Sequence, residues 1–247
     1  MRVFLAVTVL AMASAAFAAN DIDTKVEAAL AAESRPATDR ERDSNRRPLE
    51  TLNFFGLKDN MRVLELIPGG GWYTRVLAPI LAENGKLYVA IGTRRVKEGL
   101  LSEPGFEQVE LLETNENIRR PEGSRFYLID DFDFGVSGLD MVVTFRNLHN
   151  FDAGSRARVN QQVFNALKRG GLYGVVDHTM RHMEPPDGEN RRRIDPVLVI
   201  KEMLDMGFEF VDYSDLHFRA DDELEYEVGR RSVSGNTDRF TMLFRKP

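Results

Sequence analysis

The 247-residue chain has no cysteine, a single tryptophan and four histidines. Without cysteine there is no disulfide, no thiolate metal site and no cysteine nucleophile. Metal or nucleophilic work would fall to histidines, carboxylates and hydroxyls. A basic face is also missing. The 33 Lys and Arg are outnumbered by 39 Asp and Glu, for a net charge of −6, and this diffuse acidic excess argues against a nucleic-acid scaffold. No apolar run reaches the roughly 20 residues that a bilayer-spanning helix needs. What is present is ordinary: 43% hydrophobic and 29% charged residues, with 19 Gly and 10 Pro. That excludes collagen-like, coiled-coil and low-complexity chains. It suits one domain of roughly 200 residues with a small extension, large enough for its own core.

Met1-Arg2 leads into the apolar run Val3 to Ala13 and then Ser14-Ala15-Ala16-Phe17-Ala18. A charged start, a short greasy stretch and an Ala-x-Ala end read as a bacterial secretory signal peptide cut after Ala18. The expectation is a periplasmic or secreted protein that begins near Ala19, with no stable membrane insertion after cleavage. An uncleaved anchor helix is the alternative. A cysteine-free chain suits an oxidising compartment.

The mature chain opens with a predicted amphipathic helix from Asp21 to Glu33, with Ile22, Val26, Ala29 and Leu30 on one face. Charge is dense from Arg35 to Arg47. That segment reads either as a solvated linker or as an ordered arm whose arginines line a pocket mouth. A short helix over Leu49 to Leu57 follows, closed by Gly56. From Met61 onward strands and helices alternate. Predicted strands lie at 62–67, 86–91, 139–145 and 172–176, with a weaker one at 106–112. Predicted helices run from Tyr73 to Leu81, from Ser155 to Lys168 (stopped by Gly170-Gly171) and from Pro196 to Met206, with Asp195 as N-cap. The runs 208–213 and 239–245 read as an antiparallel pair flanking an acidic loop. Apolar strands alternating with amphipathic helices mean a mostly parallel sheet covered on both faces.

In the run Val63 to Thr74, Pro68-Gly69-Gly70-Gly71 follows the first strand and opens the next helix. In a doubly wound sheet that turn lies at the carboxyl edge, where ligands bind. Glycine permits close backbone approach and positive φ, and a helix start offers free amides to a polar or anionic group. A tight turn with no ligand is the bland alternative. The spacing matches neither a P-loop, which needs a following Lys, nor Gly-x-Gly-x-x-Gly. No Gly-x-Ser-x-Gly is present, which argues against an α/β-hydrolase.

Glu65, two positions before the loop, and Gly69-x-Gly71 together resemble the first motif of class I S-adenosylmethionine-dependent methyltransferases. The likeness widens with Phe54-Phe55-Gly56-Leu57, Phe145 to Asn150, Val176-Asp177-His178, Arg193-Ile194-Asp195-Pro196, Thr237 to Phe240 and Phe244 to Pro247. In combination these are similar to a family of bacterial methyltransferases, many with signal peptides, over most of the mature chain. The resemblance implies a Rossmann-like fold and S-adenosylmethionine as cofactor but names no acceptor, for which a small molecule is the expectation. It places Glu65, Gly69, Gly70, Gly71, Tyr73, Thr74, Asp131 and Arg146 toward the cofactor. Two features depart from the pattern: the second strand ends without the usual ribose-binding carboxylate, and Ile67 stands where the first glycine is usual. Glu65 or a loop carboxylate could take polar groups of the cofactor instead. Asp130 or Asp131 could meet the adenine amine, or be solvated loop acids.

Asn147 and His149 follow the 139–145 strand, and His178 ends the next. An imidazole titrating near neutrality can take a proton from an acceptor hydroxyl or amine, and Asn147 can orient that acceptor. His149 could equally be satisfied by backbone. A metal on His149, His178 and His182 fits no familiar ligand spacing. Trp72 could be a core plug, and Arg191-Arg192-Arg193 either meets an acidic substrate or is solvated. The expectation is thus a signal peptide over 1–18, a helical arm over 19–60 and a Rossmann-like methyltransferase domain over 61–247. The competing readings are an exported ligand-binding protein of the same fold and a metal-dependent hydrolase. Oligomeric state is left open.

Overall fold

The structure, a computed structural model, describes residues 21–247. The expected signal peptide and its cleavage site lie outside the described residues. Four short helices come first: α1 (Asp21–Ala31), α2 (Ala37–Arg40), α3 (Asp43–Arg46) and α4 (Pro48–Phe54). Then come β1 (Arg62–Leu66), α5 (Thr74–Leu81), β2 (Lys86–Ala90), α6 (Arg94–Glu98), β3 (Glu110–Leu111), β4 (Ile118–Arg119) and β5 (Leu128–Ile129). The chain closes with β6 (Leu139–Phe145), α7 (Ala153–Ala166), β7 (Leu167–His178), α8 (Pro196–Asp205), β8 (Glu209–Ser214) and β9 (Arg239–Arg245).

Seven strands form one sheet in the order β3-β2-β1-β6-β7-β9-β8. From β3 to β7 all pairings are parallel, and β9 runs antiparallel to both β7 and β8. This is a doubly wound sheet with an antiparallel C-terminal pair, as expected. Alternation along each strand divides the core. Leu64 and Leu66 pack into one layer with Val142, Val159, Val163 and Val199. Val63 packs into the other with Val26, Leu52, Val76 and Leu77. Helix starts follow their sequence signals: the Asp152 carboxylate accepts from the Ser155 amide at 2.8 Å, and that of Asp195 from the Val197 amide at 2.8 Å. Among the described residues no helix is long and apolar enough to cross a membrane.

The segment from Arg35 to Arg47 is an ordered arm rather than a linker. Arg35 is buried and grips Asp43 through two hydrogen bonds of 2.7 and 2.6 Å. Phe55, just past α4, is fully buried against β7 at Gly174, where an added Cβ would lie 2.6 Å from the ring. Gly174 is therefore what lets the arm seat on the sheet.

Three expectations are corrected. The helix predicted to reach Lys168 stops at Ala166, and β7 starts at Leu167. Leu167 pairs with Leu139, and Gly170 (φ 74°) lies in the stretch where the β6–β7 register shifts. The weak strand at 106–112 shrinks to Glu110–Leu111, and the hairpin of β4 with β5 was not anticipated. Arg193 is neither solvated nor free for substrate: it is buried against Asp222 (2.9 Å) and the carbonyls of Tyr226 and Thr179.

Candidate functional site

Strands β1, β2 and β6 end side by side, with Leu66 level with both Ala90 and Thr144. Each is followed by a non-glycine residue in the left-handed region: Ile67 (φ 52°), Ile91 (φ 64°) and Arg146 (φ 65°). Such conformations are costly for branched side chains and persist where surrounding contacts over-determine them, commonly at ligand sites. Two backbone bonds hold the bends: Ile67 donates to the Ala90 carbonyl at 2.9 Å and Arg146 to that of Val176 at 2.7 Å. The Asn147 amide lies 3.3 Å from each of the Leu66 carbonyl, the Ile67 carbonyl and the Thr144 hydroxyl, and donates toward them. It thus ties the end of β6 to the end of β1.

The glycines of the turn divide their duties. Gly69 (φ 62°) has open space where a Cβ would project. Gly70 is covered by the Arg95 guanidinium. Gly71 (φ 82°) lets Leu100 and Val96 close over the turn, with an added Cβ only 2.5 Å from the Leu100 side chain. The Gly71 amide is taken by the Pro68 carbonyl, whereas the Gly69 and Gly70 amides find no acceptor among the described residues.

Glu65, Tyr73 and Thr74 lie beneath this crevice rather than in it. Thr74 donates to the buried Glu65 carboxylate at 2.6 Å. Burial pushes the Glu65 pKa up to about 7, against the Thr74 hydrogen bond and the Arg46 charge. Tyr73 stacks on Phe145 at 3.4 Å between ring centroids, and its hydroxyl approaches the Arg46 carbonyl at 3.4 Å. Burial raises its phenol to about 12. Trp72 is a core plug that donates to the Asp39 carbonyl at 3.0 Å. Asp131 is turned outward onto Arg158 of α7, and Asp130 pairs with Arg119 and Asn117. Past the end of β2, the loop residue Glu116 accepts from the Gly92 amide at 3.4 Å and from the Thr114 hydroxyl.

His149 stands in the 3-10 turn after β6, held by β7. Its Nδ1 lies 2.5 Å from one Asp177 oxygen, and its amide donates to the other at 3.2 Å. Asp177 is fully buried and also accepts the His178 amide at 2.7 Å. A carboxylate can only accept, so the imidazole hydrogen belongs on Nδ1 and the lone pair of neutral His149 on Nε2. His149 forms part of the wall of a cavity of about 220 Å³, with Phe126, Met180, Pro186, Ile194 and Leu198. The charged residues around it are engaged elsewhere: Asp152 on the Ser155 amide, Arg156 on Glu202 and Arg193 on Asp222. His178 shares a 2.9 Å hydrogen bond with Thr237. Burial, then the His149 and arginine charges, hold His178 well below the usual imidazole range. Among the described residues no group of three or more His, Asp or Glu is placed to hold a metal.

Asn147 and His149 thus fall between crevice and cavity, and His178 beside them. Asp177, like His178, was readable as a strand-end residue able to hold substrate, but its pairing with His149, 28 residues away, was not, because that is set by the β6–β7 register.

No protein-family model matches the chain, and no curated protein matches its sequence. Solved structures do match. A SAM dependent methyltransferase from Aquifex aeolicus is 17% identical over 91% of this chain and 98% of its own, with a TM-score of 0.59. The glycopeptide N-methyltransferase MtfA complexed with sinefungin is 16% identical over 83% and 94%, with a TM-score of 0.54. The [4+2]-cyclase SpnF is 15% identical over 92% and 93%, with a TM-score of 0.51. The fold is therefore that of the class I S-adenosylmethionine-dependent methyltransferases.

Proposed function

We propose that the protein is an exported S-adenosylmethionine-dependent methyltransferase acting on a small molecule. The observation that carries this reading is the buried His149–Asp177 pair, set at a largely apolar cavity beside the β1–β6 crevice. The crevice suits the cofactor: Gly69 leaves room for close approach, and the Gly69 and Gly70 amides are free to donate. The methyltransferase neighbours add weight, and the cyclase among them marks where fold and reaction part company.

When bound, the cofactor supplies a methyl group on an already activated sulfonium. The chain then needs only to position, desolvate and deprotonate. Asn147 fixes the relation between crevice and cavity. His149 Nε2 takes the acceptor proton, and the Asp177 carboxylate holds the ring and stabilises the imidazolium that forms. The cavity walls exclude water from that transfer.

Residues 19–247 titrated calorimetrically with S-adenosylmethionine and S-adenosylhomocysteine should release heat. In a screen of small alcohols, phenols and amines that reads S-adenosylhomocysteine formation, Asp177→Asn should lower turnover about 100-fold or more and leave cofactor affinity unchanged. No heat at millimolar cofactor, with the circular dichroism intact, overturns the proposal in favour of a non-catalytic binding protein.

A further inference from the structure

Three buried guanidinium groups of this molecule each have a carboxylate. Arg35 has Asp43, Arg156 has Glu202 and Arg193 has Asp222. Arg46, at the end of α3, is only 5% exposed, yet its side chain makes no hydrogen bond or ion pair among the described residues. Residues 1–20 contain no Asp or Glu that could serve it. Its guanidinium carbon lies over aromatic neighbours, 4.3 Å from the Trp72 ring centre and 6.0 Å from that of Tyr73. A cation–π contact of this kind gives the N–H donors no acceptor oxygen.

Arg46 is not loose. Its carbonyl accepts from His217 Nε2 at 2.9 Å and from the Thr51 hydroxyl at 3.2 Å, so the arm is fixed at this point. Arg146, which follows the ring of Phe145 stacked on Tyr73, likewise has no side-chain partner among the described residues. Arg239, 3% exposed, spends one nitrogen on Asn45 and leaves a buried Nε without a partner. Burial depresses all three guanidinium pKa values, and the charge of Arg146 depresses Arg46 and Arg239 further. Glu65, whose pKa the Arg46 charge lowers, is committed to Thr74 and is on balance pushed by burial toward the protonated form. Asp177 and Asp238 act on Arg146 and Arg239 through space, but neither forms an ion pair with them among the described residues, and buried charges of one sign that lack a paired counter-ion are costly. Trp72 and Tyr73 directly follow the glycine turn, and Arg146 directly precedes Asn147, which ties β6 to β1. Arg46 thus packs on the two residues that follow the glycine turn, and Arg146 sits at the strand end beside that turn.

We propose that Arg46 and Arg146, with Arg239 behind them, form a subsite for a carboxylate or similar oxyanion of a bound ligand. A planar fork of donors matches that geometry. The subsite stands independently of the function proposed above. Only the source of the anion rests on it: the amino-acid carboxylate of the cofactor, or an acid group on the acceptor.

The test compares residues 19–247 with Arg46→Met and Arg146→Met. Calorimetry would use S-adenosylmethionine and its decarboxylated form, and thermal unfolding would use low-millimolar sulfate against chloride. The ligand-free variants should melt at or above the wild-type temperature, because an unpaired buried charge is removed. If the cofactor supplies the anion, the wild type prefers the carboxylated form by about tenfold or more, and either variant abolishes the preference. If the acceptor supplies it, both cofactor forms bind alike, and sulfate protects the wild type but not the variants. Sulfate protection with no cofactor binding upholds the subsite and overturns the methyltransferase reading. A wild type indifferent to both the carboxylate and sulfate overturns the subsite, even if the variants do not fold. Variants that melt lower and bind as the wild type does also overturn it, by showing a purely structural role.

Discussion

Glu65 shows how one side chain carries both a sequence signature and a burden on stability. Its native pKa, about 7, lies above the ordinary 4.5. Between those values the folded protein keeps a proton that the unfolded chain has released. Stability therefore falls as pH rises across that window, by up to about 3 kcal/mol in all. Glu65→Gln keeps the Thr74 contact and removes the titration. In urea unfolding it should match the wild type near pH 4.5 and exceed it increasingly toward pH 8. An unchanged pH slope would show that Glu65 stays ionised in the fold. From sequence, Glu65 was legible as the acid before a glycine turn. That its carboxylate lies under Thr74 was not, because strand alternation tells which face a residue takes and not which neighbour will close over it. His149 teaches the same lesson from the other side. Its position at a strand end was readable, but Asp177 reaches it only through the parallel pairing of β6 with β7.

At the scale of elements, α4 reaches the sheet through one missing methyl. A Cβ at Gly174 would lie 2.6 to 2.8 Å from three carbons of the Phe55 ring, which is fully buried. Gly174→Ala should therefore cost about 1–3 kcal/mol in denaturant unfolding. Combining it with Phe55→Leu should cost less than the sum of the two single changes, because each relieves the other. Strict additivity would mean that the arm does not bear on β7 here. The longer helices and strands were legible because each has a sustained period, with a cap at Asp195-Pro196 for α8, whereas α2, α3 and α6, of four or five residues, are too short to show one. The α7–β7 junction was misread because Leu167 and Lys168 continue the helical spacing. Only pairing of Leu167 with Leu139 draws them into the strand. Strands β3, β4 and β5 are two residues each, too short for alternation to register.

For the whole molecule, the arm is a structural part of the domain and not a detachable segment. Ile22, Val26 and Ala29 of α1 lie in the same core layer as Val76 and Leu77 of α5. The arm also sets Arg46 on Trp72, the residue after the glycine turn, so the fold and the proposed subsite share their dependence on it. Export, as proposed, places a strict limit on where cleavage can fall: after Ala18 it spares α1, whereas a cut some ten residues later would strip a helix from the core. N-terminal sequencing of protein recovered from the periplasm should therefore begin near Ala19. A recombinant chain of residues 19–247 should melt cooperatively. A chain of residues 32–247 should lose about 3–5 kcal/mol, from re-exposing Ile22, Val26 and their partners. Equal stability of the two would separate the arm from the core. Recovery of the uncleaved chain from the cytoplasm would remove the compartment from the proposal and leave the crevice with a ready supply of S-adenosylmethionine.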